Sequence, residues 1–533
     1  MKRTIFLCLL TMSFIVNSQS LTVTDSGSLT IEKAGAVTVN GDFTVPDTTG
    51  PNVTLNSDSD EFAVLIVDGL SVGDITYNRY VNMVGPNEWD YIGPPTKESW
   101  SMNTFLSENS TAISTVPNNV NNDVAIGEHN NADDSWHYFN VNSLTGERFN
   151  SGEGYQMATV SGATLAFKGT IATQNQTKSI VNNYGNGNGG VRWNVVSNPY
   201  PSYINGNNQA NSTDNFLLQN SAVIDDSYLA IYGWRGDEFG FEIYNYISGP
   251  TYIAPGQGFF IAAESNVPAD LEFTQEMRTR TGGDDFVLDG PSVNSVSTSN
   301  SSSEFKLNLY IEDAFNGEEF VSGTRFYFDG GLAKGLDPGY DAGAFDQSSA
   351  LMSRLPENDL GVGLAINAMA TDDYLNSTVP LEINRVAGTR FTIKIEDSSL
   401  PPGVDVLLED TLLGTLTDIK QAPYFLIPNT DLSGSGRFYL KIGNTELGTN
   451  TIDQSLLSIY KAFNQDFITI EGLANAEQAQ VRLYNLIGQE VLSKNIDLNQ
   501  SKARVSTTGL TTGIYILKLQ ADATVITKKL IID

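Results

Sequence analysis

The sequence predicts an all-β protein made of several domains, and three observations predict it. Glycine is abundant (48 residues), aromatics make up 10% of the chain, and Asn, Ser and Thr crowd the gaps between short apolar runs. No stretch sustains the 3.6-residue apolar period of an amphipathic helix. Short apolar runs also recur at fixed spacing, first every eight residues and later 104 residues apart. At 533 residues the chain is expected to divide into several cores.

Lys2 and Arg3 precede an apolar stretch from Ile5 to Val16, with small residues at Ser18 and Ser20. That is the plan of a secretory signal peptide over residues 1–20, too short to span a membrane permanently. Cleavage is expected after Ser18 or Ser20. Cys8, the single cysteine, would leave with it, so the mature chain is expected to lack disulfides, thiolate metal sites and a cysteine nucleophile. No other stretch is apolar and long enough for a transmembrane helix.

Residues 21–74 carry a short repeat. Leu21-Thr22-Val23, Leu29-Thr30-Ile31 and Val37-Thr38-Val39 recur every eight residues, with Gly27 and Gly35 in matching turns. A short strand and a tight turn at fixed spacing is the signature of a β-solenoid, and Asn52–Leu55 and Ala63–Val67 are expected to add rungs. An irregular sheet is the alternative.

A larger duplication follows. Trp89, Pro95, Gly152, Gly154, Tyr155 and Ala158 are matched 104 residues on by Trp193, Pro199, Gly256, Gly258, Phe259 and Ala262. After a two-residue insertion, Leu165 and Phe167 match Leu271 and Phe273. We read two copies of one β-rich module, residues 75–180 and 181–280. In each, the paired glycines permit a tight turn before an aromatic strand, and the Trp is expected to seed the core. Two equal copies favour a scaffold or a two-site binder over one asymmetric catalytic cleft.

Residues 281–303 form a Ser/Thr-rich linker. From Phe305 to Ile442 apolar alternation returns (Phe305, Leu307, Leu309; Phe391, Ile393, Ile395; Phe438, Leu440, Ile442), predicting a β-sandwich over residues 304–443. A second linker covers residues 444–454. The last segment, residues 455–533, reads as a small antiparallel sandwich of about seven strands with its own core. Val481–Leu486 is a strand, Leu486–Gln489 a glycine turn, and Tyr515, Leu517 and Leu519 share one face of a later strand.

Three runs in this tail belong together: the Leu-Tyr-Asn-Leu-Ile-Gly-Gln-Glu-Val run with Tyr484 and Gly488, the Gly-x-Tyr strand with Gly513 and Tyr515, and the terminal Lys-Lys-Leu-Ile-Ile run with Lys528 and Lys529. In combination they resemble the type A C-terminal sorting domain of the type IX secretion system of Bacteroidetes. The resemblance implies partnership with that machinery and its C-terminal signal peptidase. It further implies export across the outer membrane, removal of the tail, and release or surface attachment of the remainder. The middle region, through Gly73–Tyr80, Trp193–Pro201 and Ala254–Phe260, is similar to modules that precede such domains in flavobacterial secreted proteins, which implies surface exposure and no assigned reaction.

Charge bounds the partners. With 30 basic and 62 acidic residues the net charge is −32, and residues 1–20 hold basic residues only. Such a surface repels nucleic acid and anionic lipid and attracts divalent cations. Histidine is limited to His129 and His137, read as loop residues, and no HExxH or G-x-S-x-G motif is present. Gly185-x-Gly187-x-x-Gly190 matches a dinucleotide fingerprint, but it lies in an Asn/Gly loop before a strand, with no helix to receive phosphate. No cofactor is expected apart from calcium. Asn56-x-Asp58-x-Asp60 and the Asp337-Pro338-Gly339-Tyr340-Asp341 loop offer oxygen ligands for it, against a reading as solvated acidic turns. Trp136 and Trp234, placed at roughly equivalent points of the two copies among polar loops, are candidate glycan platforms, with core packing as the alternative.

Three readings of function stay open. One is a noncatalytic secreted or cell-surface protein with an adhesion or scaffold role. The others are a glycan-binding protein using Trp136 and Trp234, and a polysaccharide-degrading enzyme whose carboxylate pair the sequence does not identify.

Overall fold

The computed structural model describes residues 15–46, 52–82, 89–97, 100–116, 123–144, 146–236, 240–286, 303–313, 317–444, 458–461, 466–471, 479–485, 488–496, 502–521 and 524–532. The N-terminal strands build a three-sided solenoid. Ile15–Ser18, Ala36–Val39 and Val64–Val67 stack in parallel on one side. Leu21–Thr22, Phe43–Thr44 and Ser71–Val72 form the second side, and Leu29–Ile31, Val53–Asn56 and Ile75–Val81 the third. The eight-residue period therefore marks successive sides of one coil, not successive coils. The registers of Leu21 with Phe43 and of Phe43 with Ser71 set full coils of 22 and 28 residues. Each side points one apolar set inward, so Val23, Ile31, Val39, Phe43, Leu55, Leu65 and Tyr77 fill a single core. Outside the core, Asn78 donates to Asn56 (2.8 Å) and Asn56 to Glu32 (2.9 Å), a polar ladder linking the coils.

The third side does not end at the solenoid. Ile75–Val81 pairs antiparallel with Ala163–Gly169, which joins the coil to the first module. The two modules share one topology. In spatial order the first sheet runs Asp90–Ile92, Tyr155–Met157, Asp123–Asn130, Ser135–Asn140, and the second runs Trp193–Ser197, Gly258–Ala262, Ile231–Trp234, Phe241–Tyr244. The outer pair Ile75–Val81 with Ala163–Gly169 is repeated by Gln176–Ile180 with Ala269–Phe273.

Each copy also contains a short helix that the sequence did not predict, Met102–Asn109 and Phe216–Gln219. The first buries Met102, Phe105 and Asn109, too few turns to show a sustained period. Both end on the same clamp. Asn109 Nδ2 donates to the Phe105 carbonyl (2.9 Å) and its Oδ1 accepts from the Ala166 amide (2.9 Å). Asn220 does the same with Phe216 (2.9 Å) and Glu272 (2.7 Å).

The copies hold each other by reciprocal turns. Ile92 of the first bridges Gln257 of the second, and the equivalent Val196 bridges Glu153. The glycine pairs make this possible. Gly152 and Gly256 have φ of 78° and 68°, in the left-handed region. The second glycine of each pair admits the other copy: a Cβ on Gly258 would lie 2.7 Å from the Tyr91 carbonyl carbon, and one on Gly154 2.5 Å from Val195 Cγ1.

The tryptophans do not seed the two cores as expected. Those cores are built on Phe105, Phe149, Tyr155 and Phe167, and on Phe216, Phe259 and Phe273. Trp193 instead packs between the second copy and the sandwich, with Tyr327, Ala342 and Ile366, while Trp89 is half-buried against Tyr138 (5.7 Å between centroids). Alternation explains this: these indoles sit on the sheet face opposite the aromatic core.

Residues 303–444 form an 11-stranded sheet that curls over its own core rather than two separate sheets. Leu307 and Ile393, near one end of the strand order, share that core with Val406 and Leu440 near the other. The C-terminal segment has sheets of three and four strands packed on Ile468, Val481, Leu483, Val505, Leu517 and Leu530. Tyr515, Leu517 and Leu519 face inward and Lys518 and Gln520 outward, as the alternation predicted.

Candidate functional site

A cleft of about 960 Å³ opens between the second copy and the curled sheet. One wall is Phe241–Tyr244, the last strand of its sheet, which among the described residues pairs only with Ile231–Trp234. The other is the long hairpin Ser303–Asp313 with Gly317–Phe328, flanked by Phe391–Glu396.

Two polar networks line these walls. One ties the walls together: Glu242 of the module takes Arg235 (3.2 Å) and, from the hairpin, Arg325 (3.6 Å), and Arg325 also donates to the Tyr327 hydroxyl (2.8 Å). Burial pulls the Arg325 pKa down, but Tyr327 and Glu242 more than offset it, so the guanidinium stays charged. On the hairpin side, the Tyr310 hydroxyl donates to one oxygen of Glu396, and Asn308 Nδ2 donates to the other (3.0 Å). Burial and the Glu396 carboxylate push Tyr310 up to about 12, so it remains a donor. Gly323 stands opposite Asn308 in the hairpin, where a Cβ would meet Asn308 Oδ1 at 2.3 Å. Lys394 lies 4.4 Å over the Tyr310 ring and pairs with Glu318, whose pKa it lowers. Sequence reasoning missed this cleft; the polar residues alternating with the Phe305, Leu307 and Leu309 core positions were its only trace.

Trp136 and Trp234 both meet Tyr91 behind the Phe241 wall, and neither lines the cleft itself. Five rings form a nearly parallel pile across three units: Trp136 on Tyr91 (5.7 Å), Tyr91 on Phe241 (6.4 Å), Phe241 on Phe345 (4.0 Å) and Phe345 on Trp193 (4.4 Å). Trp234 meets Tyr91 and Phe241 edge-on. The two indoles are not equivalent positions. Trp136 pairs across its hairpin with His129, and Trp234 with Phe241, so His129 corresponds to Trp234 and Trp136 to Phe241. Both histidines are on strands, not in loops, because the polar run Asn131–Asp134 is the hairpin turn. His129 packs on Trp136 and Phe260 and meets Asp134 at 3.0 Å; His137 is exposed.

The acidic candidates stay apart. Asp58 accepts the Glu61 amide (2.9 Å) and pairs with Lys33, which also reaches Glu61 (3.1 Å); Asp60 is exposed. Asp341 is buried and spends both oxygens on the amides of Ala368 and Asp337 (2.7 Å each). Asp337 caps the Ala333 amide (2.6 Å). Burial pushes Asp341 up to about 7 despite its two amide donors. Among the described residues no group of three or more His, Cys, Asp or Glu is placed to hold a metal ion. Gly185 and Gly187 sit in an exposed loop with positive φ.

In the tail, Gly488 has φ 82° and donates to the Asn485 carbonyl (3.0 Å), while the Tyr484 hydroxyl reaches Glu490 (3.2 Å). Leu486 and Ile487, part of the same run, lie outside the described residues. Tyr515 is buried and donates to the Thr511 carbonyl (2.8 Å), and Gly513 has room for a side chain. Lys528 and Lys529 are exposed on the edge strand Thr524–Ile532, where charge discourages further pairing.

Two family models match. Residues 239–441 match a domain of unknown function (DUF8693), a span that takes in the two cleft walls. Residues 459–533 match the secretion system C-terminal sorting domain. No curated protein matches the chain. Among the described residues no helix is long and apolar enough to cross a membrane. A sorting tail of this kind engages the type IX secretion machinery and directs its carrier outside the cell or onto its surface. The chain is a type IX secretion system C-terminal sorting-domain protein.

Proposed function

We propose that residues 21–443 are the exported cargo, and that this cargo is a noncatalytic secreted or cell-surface protein with an adhesion or scaffold role. Residues 1–20 direct it to the periplasm, and the C-terminal signal peptidase frees it by cutting within residues 444–454. The observation that carries this reading is the continuity of the packing. Phe62, Val64 and Ile66 of the solenoid share a cluster with Tyr203 and Ala254 of the second copy, and Trp193 and Phe260 share another with Tyr327 and Ile366 of the curled sheet. A chain packed without a break through three architectures suits a rigid exterior support.

The test has two arms. Deleting residues 455–533 should trap the protein in the periplasm; undiminished surface display overturns the export route. Cells lacking the protein should attach poorly to the surfaces they colonise and recover with the full chain. Normal attachment in the null strain, or polysaccharide turnover abolished by one Asp or Glu change, overturns the noncatalytic role.

A further inference from the structure

We infer that the cleft between Phe241–Tyr244 and the Ser303–Phe328 hairpin binds a neutral oligosaccharide. The inference deepens the binding role proposed above and supplies its ligand class. Three features point to it. First, volume: about 960 Å³ lies at the upper end of the roughly 300–1,000 Å³ usual for ligand sites, which suits a chain of several sugar units. Second, the lining combines aromatic surface with fixed polar groups. Tyr310 and Phe320 are partly exposed around it, while Phe241 and Phe345, whose faces are stacked in the ring pile, contribute ring edges. Sugar rings offer apolar C–H faces to such rings, and their hydroxyls both donate and accept.

The polar groups are held before any ligand arrives. Glu396 is fixed through both oxygens by Tyr310 and Asn308, and Glu242 through both by Arg235 and Arg325. Each carboxylate keeps free lone pairs for hydroxyl donors, because an ionised carboxylate offers about four acceptor positions. Pre-fixed groups lose little freedom on binding.

Third, charge selects against acidic glycans. The cations nearest the cleft already face carboxylates: Arg235 and Arg325 face Glu242, and Lys306 faces Asp397 (3.2 Å). Lys394 likewise faces Glu318, and Glu319 and Asp346 add further negative charge to a chain of net −32. A polyanion would meet repulsion with no unpaired guanidinium to offset it.

The test is calorimetric titration of the full chain with hexasaccharides of neutral β-1,4-glucan, β-1,3-glucan, α-1,4-glucan and β-1,4-mannan, and with hexagalacturonate. At least one neutral probe should bind, tenfold or more weakly in Tyr310→Ala and several-fold more weakly in Glu396→Gln. Hexagalacturonate should not bind. Circular dichroism establishes that each variant is folded, and Glu396→Gln preserves shape if Tyr310→Ala does not fold. The inference is overturned if folded wild type binds none of the neutral probes, if both folded variants bind like wild type, or if the anionic probe binds as tightly. It is also overturned if an unrelated extended peptide displaces the sugar by pairing with the free edge of Phe241–Tyr244. Release of new reducing ends, lost in Glu396→Gln, would leave the site standing and overturn only the noncatalytic role.

Discussion

The two copies of the module are alike in topology and unlike in surroundings. Each keeps the same strand order, the same asparagine clamp and the same glycine-paired turn. They differ where they meet a neighbour. The first copy joins the solenoid through its outer strand, which carries Arg79, wholly buried, pairing with Asp285 (2.6 Å) and donating to the Pro255 carbonyl (2.9 Å). The matching strand of the second copy has Lys178, part-exposed and paired with Glu153. The second copy faces the curled sheet and gives its edge strand to the cleft. Internal hydrogen bonds thus define the unit, and the side chains that changed are those that meet a different partner.

The largest expected effect tests that difference. Arg79→Met removes a wholly buried guanidinium from the Asp285 carboxylate and the Pro255 carbonyl and should cost about 3–5 kcal/mol in chemical denaturation. Lys178→Met should cost less, about 1–2 kcal/mol, because Lys178 itself is partly in water although its partner Glu153 is buried; equal losses would break the contrast. The loop on the second copy's side gives a pH signature. Burial pushes Asp341 up to about 7, above the roughly 3.9 of an unfolded Asp, so the folded state binds the extra proton. Its stabilising effect is complete below pH ~4 and is lost as pH rises through about 7, up to about 4 kcal/mol in all. Melting temperature should fall across that window, and Asp341→Asn should flatten the profile.

The reciprocal contact comes next. Gly258→Ala drives a methyl group into the Tyr91 backbone and should cost about 3 kcal/mol. Gly154→Ala meets the Val195 side chain and, at 2.9 Å, the Val196 carbonyl oxygen, and should cost a similar amount. A matched pair sharpens the likeness: Asn109→Ala and Asn220→Ala each leave buried backbone groups unpaired and should each cost about 2 kcal/mol. A twofold disparity between them in denaturation would show that the clamps are not equivalent.

Much of this architecture was legible in the sequence. Val23, Ile31 and Val39 announced the solenoid, Tyr155 and Phe259 the duplication, Phe305–Leu309 the alternating sheet, and Tyr515–Leu519 the tail, because each signal is local and repeats at the period of its element. The coil's true length was not legible, since neighbouring sides and neighbouring coils give the same eight-residue text. The ring pile and the cleft were not legible either. Phe345 meets Trp193 and Arg325 meets Glu242 across long stretches of chain, and no periodicity encodes such meetings. The indoles of Trp136 and Trp234 were visible as residues; that their rings join copies to one another was not.

The exchange of turns between the copies has a historical consequence. Ile92 against Gln257, mirrored by Val196 against Glu153, is the contact two identical subunits make about a shared axis. Tandem fusion of a homodimer would produce it, with the symmetry axis now running through a single polypeptide. Within one chain the halves need not be identical: the leading half continues into a coil from its outer strand and the trailing half turns an edge strand to the cleft, while the reciprocal contact holds them together.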